Sequence, residues 1–300
     1  MLEEWAYGSD DRAGDLLSSP LGSSNETRSK AMNNKTILIT GASTGIGRTT
    51  ALHFQRQGWN VIATMRSPEN ETDLAETPNV LVTKLDVTDE ASIDAAVAEG
   101  IAHFGQIDVL LNNAGYGAYG PLEAFSMEKI KRQFDTNVIG LLAVTKAVLP
   151  HMRKQKSGFV VNISSIGGQM TFPLGALYHG SKFAVEGLSE SLHYELAAFG
   201  VKVKIIQPGM IKTDFGGRSF DFVNDEGMSE YQPTVQNLFA AFGNAGSGPS
   251  EPQVVADVIW EAVTDGTDTL RYRAGADAVD LLDKRKAEDD ETFFADYKPK

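Results

Sequence analysis

The 300-residue chain contains no cysteine, and disulfides, thiolate-held metals and cysteine nucleophiles drop out together. A chain without cross-links suits a reducing, cytoplasmic compartment. Long apolar runs are missing too: nothing approaches the roughly 18 uninterrupted apolar residues that a bilayer-spanning helix needs. The acidic start MLEEWAYGSDD lacks the basic-then-apolar order of a secretion signal, so neither a membrane span nor export is expected. Positive charge is scarce, with 27 Lys and Arg against 40 Asp and Glu and a net charge of −13. Nucleic-acid binding shows as a basic patch, so no such partner is expected. What remains, 42% hydrophobic and 22% charged, is the composition of a soluble globular protein.

Residues 1–33 are rich in Ser, Gly, Asp and Glu without a sustained period, and read as a disordered extension. From Lys35 the texture changes. Short apolar runs predict strands at 35–40, 60–65, 79–87, 107–115, 157–164 and 201–209, and helical patterns fall at 46–57, 89–104, about 127–152 and about 176–199. Apolar runs bounded by turns indicate strands buried on both faces. The alternation indicates right-handed βαβ crossovers, hence an α/β fold with a single doubly wound, Rossmann-type parallel sheet flanked by helices on both faces. One domain, 34–273, is expected, including an aromatic loop at 210–235. Helices near 231–242 and 252–264 and a strand near 268–272 close it, and 274–300 reads as a charged, peripheral extension that frays.

Between the first strand and first helix, TGASTGIG sets Gly41, Gly45 and Gly47. Glycine permits positive φ and close backbone approach, and a helix N-terminus favours anionic oxygens, so the turn suits a dinucleotide pyrophosphate. It also suits a tight turn with no ligand. NNAG at 112–115 ends the fourth strand at the sheet's carboxyl edge, where doubly wound folds bind ligands. LDV at 85–87 ends the third, where Asp86 could equally cap the next helix. Asn137, inside a long helical pattern beside Gly140, suggests a kink or a solvated face. NISSIGG ends the fifth strand with Ser164 and Ser165. In YHGSK, Tyr178 and Lys182 lie four apart, one turn of helix, which sets the ammonium near the phenol. A nearby cation favours the phenolate and draws its pKa down from about 10, each unit corresponding to about 1.36 kcal/mol. The alternative is an exposed pair on an amphipathic helix.

In this order, over about 35–272, these motifs resemble the short-chain dehydrogenase/reductase family. ATMR, SIGG and the aromatic loop are similar to its 17β-hydroxysteroid and retinol dehydrogenase-like branch. The glycines follow the spacing Gly-x-x-x-Gly-x-Gly after Thr40, and Gly180 stands where the family usually has alanine. The resemblance implies an enzyme that moves a hydride between a nicotinamide and a carbonyl or secondary alcohol. It implies a catalytic set of Asn137, Ser165, Tyr178 and Lys182: Ser165, thirteen positions before the tyrosine, bonds the substrate oxygen, and Tyr178 exchanges the proton. Lys182 lowers the phenol pKa and holds the nicotinamide ribose, and the backbone of Asn137 extends a proton relay.

Cofactor contacts are implied for Gly41, Ser43, Thr44, Gly45, Ile46, Gly47, Met65, Arg66, Asp86, Val87, Asn113, Ala114, Gly115, Tyr178, Lys182, Pro208, Gly209, Ile211 and Thr213. Met65 occupies the place where NAD enzymes present a carboxylate, and Arg66 beside it can grip a 2′-phosphate, so NADP is expected, with NAD the other option. Tyr116, Gln169, Phe172 and Phe215 are expected to meet the substrate, with Tyr119, Met170, Leu174, Phe220, Phe222 and Met228 nearby, in a mostly apolar pocket for a bulky carbonyl. The resemblance further implies a homodimer or homotetramer built through the long helices. Two rivals are a catalytically silent nicotinamide-binding sensor or scaffold of the same fold, and a sugar-nucleotide epimerase or dehydratase. The first would lack the tyrosine or lysine, and the second would carry a shorter glycine spacing and a larger C-terminal domain. No metal site is expected.

Overall fold

A computed structural model describes residues 34–213, 219–243 and 248–296. The expectations for 1–33 and for Phe215 lie outside the described residues. Among the described residues nine strands run in chain order as β1 (Thr36–Thr40), β2 (Asn60–Met65), β3 (Val80–Lys84), β4 (Val109–Asn112), β5 (Gly117–Tyr119), β6 (Gly158–Ile163), β7 (Val201–Pro208), β8 (Phe220–Phe222) and β9 (Arg271–Ala274). Seven of them pair in parallel in the order β3-β2-β1-β4-β6-β7-β9. Alternate side chains explain why both faces are covered. Ile37 and Ile39 of β1 and Val109 and Leu111 of β4 join one apolar cluster, while Leu38 and Leu110 join the other. On the first face lie α1 (Gly45–Arg56) and α7 (Pro252–Thr264); α2 (Glu90–Phe104), α4 (Gly140–Gln155) and α5 (Ala176–Ala197) cover the second.

The chain winds outward from β1 to β3, then returns past β1 to β4, so the switch point falls between β1 and β4. A crevice opens there at the carboxyl ends of the strands. The helix expected at about 127–152 is two helices, α3 (Met127–Phe134) and α4, joined by a π-turn at Asp135–Ile139. β5 and β8 leave the main sheet as a two-stranded parallel ladder, Gly117 facing Phe220 and Tyr119 facing Phe222, which the sequence pattern did not separate from its surroundings. α6 (Gln232–Gly243) follows this ladder.

The C-terminal expectation needs correction. Residues 276–287 and 290–295 form α8 and α9, and both helices pack into the compact unit, which does not stop at 273. Leu282 is 2% and Phe293 0% exposed, both packed with Ile166 and Met170. The charges that made this segment look solvated pair along its outer side, as in Arg285 with Asp290 at 2.5 Å. A few apolar anchors are enough to dock two short helices, and a composition count misses them. Among the described residues no helix is long and apolar enough to cross a membrane, and no His, Asp and Glu cluster could hold a metal.

Candidate active site

At the switch point the glycine turn adopts backbone that only glycine enters freely, with φ of 70° at Gly41 and 55° at Gly45. A Cβ on Gly47 would collide with the Gly41 carbonyl. The turn is stitched to the end of β4. Thr40 Oγ1 accepts from the N–H groups of Asn113 and Ala114, each at 3.0 Å, and Asn113 Nδ2 donates to the Thr40 and Gly41 carbonyls at 2.9 and 3.1 Å. Two helix starts make a useful contrast. Asp89 caps α2 by accepting from Ala91 and Ser92, whereas Thr44 gives α1 no side-chain cap and no acidic residue sits in its first turn. The amides and positive dipole end of α1 therefore keep their capacity for an anion, which fits a pyrophosphate.

Along the same edge Met65 is buried at the end of β2, while Arg66 is exposed and makes no hydrogen bond or ion pair among the described residues. Arg48, by contrast, is already engaged with Glu71 at 2.5 Å and Asp73 at 2.9 Å. Asp86 does not cap α2; its carboxylate accepts from Thr88 N and Oγ1 at 3.0 and 2.8 Å. Burial would raise its pKa, but the Thr88 donors and the nearby Arg66 and Lys84 charges hold it below the usual value. Val87 packs into the space that Gly140 leaves at the start of α4.

The two serines after β6 separate. Ser165 lies within hydrogen-bonding reach of the Tyr178 phenol and accepts from Gly167 N at 3.0 Å. Ser164 is buried against Gly168 instead. Lys182, one turn beyond Tyr178 on α5, donates to the Ile163 carbonyl at 2.9 Å, and its Nζ sits 5.8 Å from the Tyr178 ring centre. Burial lowers the Lys182 pKa to about 8, opposed by the Glu186 carboxylate one turn further on. The phenol departs from the sequence expectation. Burial raises its pKa, and the Ser165 hydrogen bond only moderates that rise. A desolvated phenol loses more by ionising than a neighbouring ammonium at this distance returns.

Asn137 falls in the π-turn, the kink that its position suggested. Its side chain clamps the Tyr116 backbone, accepting from N at 3.0 Å and donating to O at 2.8 Å, and donates to Ser181 Oγ at 3.1 Å. Gln133, one turn earlier, does the same work on the next peptide, accepting from Ala118 N at 2.7 Å and donating to the Tyr116 carbonyl at 3.0 Å. Sequence reading missed Gln133, though a lone Gln four before Asn137 on a helical pattern is a signal of shared facing. It also missed His179. Buried among Tyr119, Phe172 and Tyr178, this ring accepts from Phe172 N through Nε2, which assigns the proton to Nδ1 for donation to the Gly167 carbonyl, both at 3.0 Å. Burial lowers its pKa, keeping it neutral and braced beneath the loop that carries Ser165.

The expected substrate wall is partly rearranged. Tyr116 does not join Tyr178: its ring lies under the Arg132 guanidinium at 4.9 Å and packs with Phe125 and Leu177. Side chains alternate along β5, so it is Tyr119 that reaches the site, with its ring centre 5.5 Å from Tyr178 and 5.3 Å from Phe220. Leu174, Phe222 and Leu238 of α6 complete that cluster. Phe172 packs instead between His179 and the C-terminal helices, while Gln169 is half-buried at the end of the turn after Ser165. Pro208 ends β7, and the following segment brings Thr213 back to the glycine turn, its side chain 3.3 Å from where a Gly45 Cβ would stand.

A doubly wound parallel sheet with a glycine turn at its switch point and a Ser, Tyr and Lys group at the carboxyl edge defines a nicotinamide-type oxidoreductase fold. The chain belongs to the short-chain dehydrogenase family, whose pattern matches residues 35–223, and is an oxidoreductase enzyme of the retinol dehydrogenase-like branch. It is 45% identical over 239 residues to an uncharacterized oxidoreductase of Schizosaccharomyces pombe, covering 78% of this chain and 98% of that protein. Retinol dehydrogenase 8 of Bos taurus is 33% identical over 266 residues, 83% of this chain and 84% of that one. Among solved structures, a short-chain dehydrogenase from Streptomyces avermitilis superposes with a TM-score of 0.78 at 36% identity, covering 89% of this chain and 98% of that one. The structure of ElxO with NADP bound follows at a TM-score of 0.66 and 29% identity, over 80% and 97%.

Proposed function

We propose that the protein is an NADP(H)-dependent oxidoreductase acting on the carbonyl or secondary alcohol of a hydrophobic small molecule, through Ser165, Tyr178, Lys182 and Asn137. The observation that carries this reading is the Ser165–Tyr178 contact with Lys182 one turn away, beneath a wall of Tyr119, Leu174, Phe220, Phe222 and Leu238. The bound dinucleotide supplies the hydride. Ser165 donates a hydrogen bond to the substrate oxygen, which orients the carbonyl and stabilises the charge that develops on it. Tyr178 gives that oxygen its proton in reduction, and its high intrinsic pKa keeps the phenol loaded for this direction. Lys182 would hold the nicotinamide ribose when the dinucleotide is bound, and a backbone carbonyl freed by the π-turn at Asn137 would hold a water through which the lysine exchanges protons with solvent. The apolar wall favours a bulky, weakly polar substrate and excludes water from the oxygen being reduced.

Support for NADP(H) comes from the unengaged Arg66 guanidinium, the absence of a carboxylate at Met65, and the NADP held by the structural relative. The test is a screen of hydrophobic ketones and alcohols with each nicotinamide, following its absorbance, beside a Tyr178→Phe control. Turnover with NADPH is expected to fall by about 10²–10⁴ in that control, the worth of a positioned general acid. Full activity in the variant, or a clear preference for NADH, overturns the respective half of the proposal.

A further inference from the structure

The segment after Pro208 has to hold Thr213 against the glycine turn, yet it is neither strand nor helix. Its support comes from a part of the chain that looked peripheral in sequence. Asp277, in the first turn of α8, accepts from Met210 N at 2.6 Å, and Gly209 N donates to the Ala274 carbonyl at 3.0 Å. Gly209 has no room for a side chain, because a Cβ there would run into both oxygens of the Asp277 carboxylate. The carboxylate is confined on its other side too: a Cβ on Gly275, where φ is 108°, would stand 2.7 Å from Asp277 Oδ1. Further along, Ser250 N donates to the Met210 carbonyl at 2.9 Å and Lys212 N to the Ser250 carbonyl at 2.8 Å. Two glycines thus make a slot, a carboxylate fills it, and the charge-assisted bond to Met210 N sets the path of the chain toward Thr213. α8 and α9 are in turn anchored on Ile166 and Met170, immediately beyond Ser165.

We infer that Asp277 is a positioning residue for the nicotinamide end of the cofactor site, acting through Met210 on Ile211 and Thr213, and that the C-terminal helices belong to the working site. The inference rests on the dinucleotide reading above. It separates from that reading because the adenosine end is built on β1, β2 and the α1 turn, away from Asp277.

The experiment measures binding of NADPH, by nicotinamide fluorescence, and of 2′,5′-ADP, which carries the adenosine phosphates without nicotinamide, to wild type and Asp277→Ala. Loss of one charge-assisted hydrogen bond is expected to weaken NADPH by about tenfold and leave 2′,5′-ADP within about twofold. Equal loss of both ligands, or loss of neither, overturns the assignment. Should Asp277→Ala fail to fold, Asp277→Asn and Asp277→Ser run the same contrast. Asn keeps an acceptor and is expected within about threefold of wild type, while Ser, too short to reach Met210 N, is expected to show the selective loss. Wild-type protein that holds NADH but not 2′,5′-ADP overturns the NADP(H) reading, and NADH against 5′-ADP then decides Asp277.

Discussion

Two lysines are buried among the described residues, and their surroundings differ in a way that separates support from chemistry. Lys204, on β7 and 1% exposed, has an acceptor for each of its three donors: the Thr267 and Thr269 carbonyls at 2.9 and 2.8 Å and Tyr272 Oη at 3.1 Å. The Tyr272 hydroxyl in turn donates to the Asp265 carboxylate at 2.7 Å. Lys182 has a single acceptor among the described residues, the Ile163 carbonyl. The first lysine lies at the amino end of β9 and the second at the carboxyl ends of the strands, the edge where doubly wound folds place their ligands. A buried ammonium with unfilled donors costs free energy that the fold alone does not recover. That shortfall is what a ligand would make good at one site, and its absence makes the other a strut.

Replacing Lys182 by Met should therefore produce the largest and most divided effect. Turnover should fall by about 10³ or more, as expected when a general acid loses the charge that tunes and orients it. Thermal stability should rise, by roughly 1–3 kcal/mol, because a desolvated charge gives way to a packed apolar chain. The Lys182 pKa is about 8 in the folded protein against an ordinary 10.5. The folded state thus binds its proton less tightly than the unfolded chain, so the cost is complete below about pH 8 and fades as pH climbs toward 10.5. Melting curves at pH 7 and 10 should show the variant's advantage shrinking. An advantage that stays constant, or a loss of stability at pH 7, breaks the comparison.

The same substitution at Lys204 should invert the result. Two carbonyls and a phenol lose their donor, so unfolding in urea should show a loss of roughly 2–4 kcal/mol. NADPH affinity and kcat in the folded fraction should stay within about twofold, since no atom of that site touches the carboxyl edge. A turnover defect as deep as that of Lys182→Met would show that the two ends of the sheet are coupled.

Legibility follows the same division. The choice of Ser165 came from the family resemblance, while the β1–α1 turn, the strand ends and the Tyr–Lys spacing depend on local sequence, in which glycine punctuation, short apolar runs and a four-residue helix repeat each carry their own signal. The Asn137 kink was readable for that reason. What stayed hidden depends on contacts between distant segments. Gln133 and His179 look like unremarkable helix residues until they meet the backbone of β5 and of the Ser165 loop. Tyr116 and Tyr119 were both expected near the substrate, and which of them meets Tyr178 stayed open because strand parity in a three-residue ladder cannot be set without knowing its partner, β8. Asp277 and Phe293 were masked by the charges around them. The raised phenol pKa needed the burial of Tyr178, which no spacing rule supplies.

The smallest effect should come from Glu186, which sharpens the contrast between the two lysines by altering one countercharge. On α5 it follows Lys182 by one turn; Tyr178 precedes that lysine by one turn, and β6 contributes the Ile163 carbonyl. Its carboxylate accepts from Gln207 Nε2 of β7 at 3.0 Å and Arg271 Nε of β9 at 2.8 Å, while Arg271 also pairs with Glu190 at 2.6 Å. Glu186 is the negative charge that opposes the lowering of the Lys182 pKa. Glu186→Gln keeps the shape and removes the charge, so Lys182 should release its proton at lower pH. The alkaline limb of the reductive kcat/KM profile should move toward neutrality, and activity at pH 8 should fall by about threefold while activity at pH 6 holds. A uniform drop at every pH would assign Glu186 to packing with Arg271 alone, and a limb that moves alkaline would reverse the sign of the coupling.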